Sequence, residues 1–75
     1  MNKKLPKLKK GMIVNAVVEF TDHKETFDLI LLDDDEGLDE DPMFQVQTCR
    51  FPKVHYLIEK HEINFCYNFL FENLP

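Results

Sequence analysis

Tryptophan is absent from this 75-residue chain, glycine occurs twice and cysteine twice. Two glycines leave no glycine-rich loop for a phosphate or dinucleotide. Cys49 and Cys66 form no CxxC pair, and neither shares with His23, His55 or His61 the short spacing of a structural zinc site, so no metal ligand set is expected. No apolar run approaches the roughly 20 residues that span a bilayer. The seven-residue stretch Met12–Val18, although preceded by lysines, contains Asn15, ends at Glu19 and has no small-residue cleavage site behind it. These absences point to a cytoplasmic protein with reduced thiols and no membrane association. No nucleophile, base and orienting third group can be named together, and no cofactor is implied. A chain of this length also leaves little room for an enclosed pocket, so an enzyme is not expected.

Charge is abundant and sorted. The net charge is −5, yet residues 1–10 carry Lys3, Lys4, Lys7, Lys9 and Lys10 with no acid. Residues 11–75 set 14 acids against Lys24, Arg50, Lys53 and Lys60, a balance of −10. Seven of those acids fall in nine positions: Asp33, Asp34, Asp35, Glu36, Asp39, Glu40 and Asp41. An EF-hand loop with Gly37 at its sixth position would put Leu32 first and Met43 twelfth, so that calcium pattern fails. A body this acidic repels nucleic-acid phosphate.

The apolar pattern is that of strands. Met12, Val14, Ala16, Val18 and Phe20 alternate on one face. After a polar turn at 21–25, Phe27, Leu29 and Leu31 do the same on a returning strand. Residues 33–42 read as a long acidic loop closed by Pro42. Phe44 and Val46 alternate with Gln45, Gln47 and Cys49. Ile63, Phe65, Tyr67, Phe69 and Phe71 alternate with Asn64, Cys66, Asn68 and Leu70 on a last strand. Between these runs, Val54, Tyr56 and Ile58 fit a strand turning at 59–62, whereas Val54, Leu57, Ile58 and His61 fit a helix after Pro52. The expected fold is all-β: a small five-stranded antiparallel barrel or curved sheet of the SH3-like or OB-like kind, two hairpins flanking a central strand. The competing fold is α+β, with a short helix at 53–61. One domain, 11–75, follows a basic N-terminal tail, 1–10, that is mobile or loosely docked.

Function is expected to lie in surfaces. Carboxylates crowded along an extended segment resemble a strand of phosphates, and arginine forks accept both with the same geometry. The leading expectation is therefore a small binding protein, regulator or inhibitor. Its acidic loop (Asp33, Asp34, Asp35, Glu36, Asp39, Glu40, Asp41) would engage a basic protein surface as a nucleic-acid mimic, with an apolar or aromatic patch adding affinity. That surface would belong to a nucleic-acid-handling protein. Short single-domain chains of this kind are common among accessory and phage-encoded factors. The alternative is a nucleic-acid-binding small barrel, with Lys3, Lys4, Lys7, Lys9 and Lys10 on phosphate and sheet aromatics on bases. The lysines could instead fold back on the protein's own acids. Homodimerisation, by strand addition at an open sheet edge, is a third possibility.

Overall fold

A computed structural model describes residues 5–67, which form strands β1 (Ile13–Glu19), β2 (Lys24–Leu31), β3 (Met43–Thr48), β4 (His55–Glu59) and β5 (Ile63–Cys66). A single 3-10 turn, Lys60–Glu62, is the only other regular element among the described residues. The protein is all-β, with one antiparallel five-stranded sheet in the order β4-β3-β2-β1-β5. β1 to β4 form a meander, unlike the Greek-key order of an OB-fold. The outermost strands do not pair with each other, so the sheet is open.

Alternation builds each strand as the sequence implies. In β1, Val14, Ala16 and Val18 are buried, and their partners across β2 include Leu29 and Phe27. Phe44, Val46 and Thr48 of β3 face the same side, as does Ile58 of β4. That side is concave. Tyr56, on β4, lies three strands from β1 in the sheet order. Three strand spacings on a flat sheet come to roughly 14 Å. Yet its ring is 5.8 Å from that of Phe20, which follows β1, and 5.6 Å from that of Phe27 on β2. The sheet therefore curls around its core.

Residues 53–61 do not form the competing helix: 55–59 are strand, and only the 3-10 turn begins at Lys60. His55–Glu59 pairs with β3 from Met43↔Glu59 to Gln47↔His55, which gives the backbone of β3 a partner that a helix would deny it. Thr48 sets the preceding turn: its hydroxyl donates to the Pro52 carbonyl (3.0 Å) and accepts from the Val54 N–H (2.9 Å). Nor do β4 and β5 form a hairpin. The 3-10 turn redirects the chain across the core, and β5 pairs with β1.

β5 departs from its expected alternation. Its register slips between Asn15 and Ala16, a bulge that places both Ile63 and Cys66 in the core (0% and 1% exposed). A one-residue slip reverses every later side chain. Cys66, expected on a polar face beside Asn64, is thus internal. Phe65 and Tyr67 pack edge-to-face on the convex side, where the Tyr67 hydroxyl donates to Asp28 (2.7 Å). Asn68, Phe69, Leu70 and Phe71 lie outside the described residues.

The segment preceding β1 is part of the fold. Leu8 is 0% exposed within the core cluster, and Leu5 packs against it. The chain enters β1 through a tight turn closed by the Met12 N–H on the Lys9 carbonyl (3.1 Å). Gly11, third in that turn, has φ +94°, a region from which a Cβ is largely excluded.

Candidate partner-binding loop

The acidic segment leaves β2 at Leu31 and enters β3 at Met43. Four of its seven acids are bound by the protein's own groups, each at a different place. Asp33 Oδ2 accepts the Gln45 N–H (2.9 Å), which ties the loop entrance to β3. Asp34 Oδ1 accepts the Lys10 N–H (2.8 Å), and the Asp35 N–H donates to the Leu8 carbonyl (3.0 Å), so the N-terminal segment lies along the loop. Asp35 itself is buried. One of its oxygens accepts Lys60 Nζ (2.9 Å) and the other the Gly37 N–H (2.8 Å). The Lys60 ammonium, followed by the Gly37 N–H, holds the Asp35 carboxyl below its usual range. Gly37, at φ +74°, supplies the left-handed step this local turn needs.

The exit of the loop is held by the 3-10 turn. Asp41 accepts the His61 N–H (2.8 Å) and the His61 Nδ1 (2.7 Å), and that same Nδ1 is 3.3 Å from Glu59. The hydrogen bond to Asp41 raises the His61 pKa above 6.5, with Glu59 and Glu62 adding to it. It also lowers that of Asp41, while the neighbouring Asp41 carboxyl raises that of Glu59. A histidine whose folded pKa is raised stabilises the fold fully below its unfolded pKa and loses that stabilisation as pH rises through the folded value. The expected result is that the protection factors of amides 39–41, which correct for the intrinsic base catalysis of exchange, fall as pH rises through the His61 pKa, and that His61→Gln removes this fall. NMR titration of the His61 ring with amide exchange on the same samples checks it. Among the described residues, Asp41, Glu59 and His61 are also the one group whose donor atoms (within 4.8 Å of one another) could hold a metal ion.

What remains exposed is the crest. Glu36, Asp39 and Glu40 point to solvent without a protein partner among the described residues, and between them Leu38 is 83% exposed. On the convex face beside the loop exit, Met43 (58%) and Leu57 (61%) form a second apolar exposure. They are diagonal neighbours across β3 and β4, because Leu57 opposes Gln45 and Glu59 opposes Met43.

The structure thus divides the seven predicted acids into an anchoring set (Asp33, Asp34, Asp35, Asp41) and a presented set (Glu36, Asp39, Glu40). The anchors' receptors (Lys60, His61, and the backbones of Leu8, Lys10 and Gln45) lie 12 to 27 residues away in sequence, and no local spacing marks them. Lys7, Lys9 and Lys10 are exposed on the docked segment, and the first two line a shallow groove with Asp34, Asp35 and Glu36. Lys3 and Lys4 lie outside the described residues. The aromatics divide between core and surface. Phe44 is buried and Phe20, Phe27 and Tyr56 half-buried, whereas Phe51 is 90% exposed beside Arg50.

A cleft of about 560 Å³ opens where the first half of β2 parts from the 49–54 turn, between Phe27, Tyr56, Val54 and Arg50. Its carboxylate, Asp28, is engaged by Asn15 (3.0 Å) and Tyr67, and the Asn15 hydrogen bond leads in keeping its pKa low. His23 is held in the β1–β2 turn by Asp22 and Glu25, and His55 bonds Gln47 across the strands. Cys49 and Cys66 are free thiols on opposite faces of the sheet. No helix among the described residues is long and apolar enough to cross a membrane. The chain matches no family model, no curated protein and no solved structure.

Proposed function

We propose that this is a small non-enzymatic binding protein whose acidic loop engages a basic surface of a protein partner. The observation that carries the reading is the division of labour within the loop. Asp33, Asp34, Asp35 and Asp41 fasten it at four points, so Glu36, Leu38, Asp39 and Glu40 are presented on a shaped crest. Preorganisation of this kind lowers the ordering cost of association, and three carboxylates around one apolar side chain suit a cationic groove with an apolar floor. Arginine forks made for phosphate would accept the same carboxylates, which extends the reading to inhibition of a nucleic-acid-handling protein in the cytoplasm.

Capture from host lysate followed by titration of the purified partner tests the proposal. The triple variant Glu36→Gln, Asp39→Asn, Glu40→Gln should lose about tenfold or more in affinity, chiefly in association rate, with a weaker salt dependence. Leu38→Ser should act on dissociation. None of these four residues supports the fold, so circular dichroism should be unchanged. A partner that binds all variants as tightly as wild type overturns the assignment. An oligonucleotide competing through Lys7 and Lys9 would do so as well.

A further inference from the structure

We infer that β4 is a homodimerisation edge, on which a second copy of this chain pairs antiparallel about Leu57. This inference is independent of the acidic loop's proposed role. It rests first on which way the backbone of β4 points. The Thr48 N–H bonds the Val54 carbonyl (2.9 Å) and the Lys60 N–H bonds the Pro42 carbonyl (2.9 Å). By the alternation of an antiparallel ladder, residues 54, 56, 58 and 60 turn their polar groups to β3, while His55, Leu57 and Glu59 turn theirs outward. β4 is the end of the sheet, so those outward groups have no strand to meet. The edge also has a built stop: the Glu59 N–H is taken by Glu62 Oε1 (2.8 Å).

An unpaired edge is ordinarily blunted by charge, proline or a bulge at its centre. Here the centre is Leu57, 61% exposed with Met43 diagonal to it. The polar residues His55 and Glu59 stand two positions to either side, and their order makes the edge self-complementary, since an imidazole N–H can meet a carboxylate. Rotation about a two-fold axis at Leu57 sets Leu57 against its own copy and each His55 against Glu59 of the second copy. The two leucines would exchange their N–H and C=O groups. Each His55 N–H would reach the opposing Glu59 carbonyl, leaving aside the Glu59 N–H that Glu62 already holds. His55 bonds Gln47 through Nε2, and its Nδ1 has no partner among the described residues. An isologous pairing of this kind requires one patch complementary to itself, which the sequence His55-Tyr56-Leu57-Ile58-Glu59 supplies. It also keeps like charge apart, because each acidic loop adjoins the Glu59 end of its own β4 and the two ends point in opposite directions.

Sedimentation equilibrium of the full chain from micromolar to millimolar concentration tests the inference, together with amide exchange at both extremes. Wild type should pass from the chain mass to twice that mass. The His55 and Leu57 amides should become protected over the same range. Leu57→Lys should raise the dissociation constant about tenfold or more, as lysine does at natural sheet edges. His55→Glu should weaken the dimer by setting like charges opposite, and adding Glu59→Lys should restore it. His55 and Leu57 are exposed and outside the core, so Leu57→Lys and His55→Glu should keep the wild-type circular dichroism spectrum. The inference is overturned if the chain mass persists at every concentration. It is equally overturned by a dimer that ignores Leu57→Lys or leaves the His55 and Leu57 amides unprotected, or by a monomer whose β4 accepts only a strand from another protein.

Discussion

Leu8→Ala should lower the free energy of unfolding by about 3 kcal/mol, a large share of what a domain of this size possesses. Leu8 is 0% exposed and belongs to the same cluster as Leu29, Leu31 and Phe44. Truncating it removes the transfer energy of its side chain and leaves a cavity beneath the segment that precedes β1, which straps the core, and one further consequence follows. The Leu8 carbonyl accepts the Asp35 N–H, and the neighbouring Lys10 N–H holds Asp34, so a loosened strap also loosens the acidic loop. Leu8→Met, which keeps most of the volume, should cost under about 1.5 kcal/mol. Urea unfolding of the three proteins, read by circular dichroism, checks the order. A change under about 1 kcal/mol for Leu8→Ala would mean that the strap does not contribute to the core. Deleting residues 1–10 to test their charge would therefore confound two effects. Exchanging exposed Lys7 and Lys9 for glutamine separates charge from packing.

Why Leu8 was not legible as core is itself a physical point. Period-2 patterning reports burial only where a strand repeats it, and Leu8, with Leu5 three residues before it, stands among lysines in a segment fastened by a turn rather than a ladder. β1 and β2 were readable because each carries three alternating apolar residues on the face toward the core, and β3 because Phe44 and Val46 alternate with polar Gln45 and Gln47. β4 was ambiguous because Leu57, which sits outward, completes a helical spacing by coincidence. β5 was misread past Asn64 for a different reason. A bulge leaves no mark in composition, yet it inverts everything after it, so Cys66 and Phe65 exchanged faces. In the acidic run the charge density was visible at once. Its partition into anchors and crest was not, since the groups that receive Asp35 and Asp41 come from the 3-10 turn 20 to 25 residues later.

Asp35→Asn should cost about 2 kcal/mol near neutral pH, less than breaking a fully buried pair because Lys60 is still about a third exposed. The amide keeps an oxygen for the Gly37 N–H but offers Lys60 no charge. The sign of the pH dependence follows from Asp35 alone. Its carboxyl titrates below 3.8 in the folded protein, so near and below that pH the unfolded chain binds more protons. The stabilisation is thus complete above the unfolded pKa of about 4 and is lost as pH falls through the depressed folded value. Asp28 and Asp41 share that direction, so the informative quantity is the difference in urea midpoint between wild type and Asp35→Asn. It should be constant from pH 7 to about pH 5 and shrink below about pH 4. Lys60→Met should remove most of the same increment, and the double variant should cost less than the two single changes added together. A gap that stays constant down to pH 2 would place the stabilisation in packing rather than in the ion pair. The loop crest would then owe its shape to Gly37 and the flanking anchors alone.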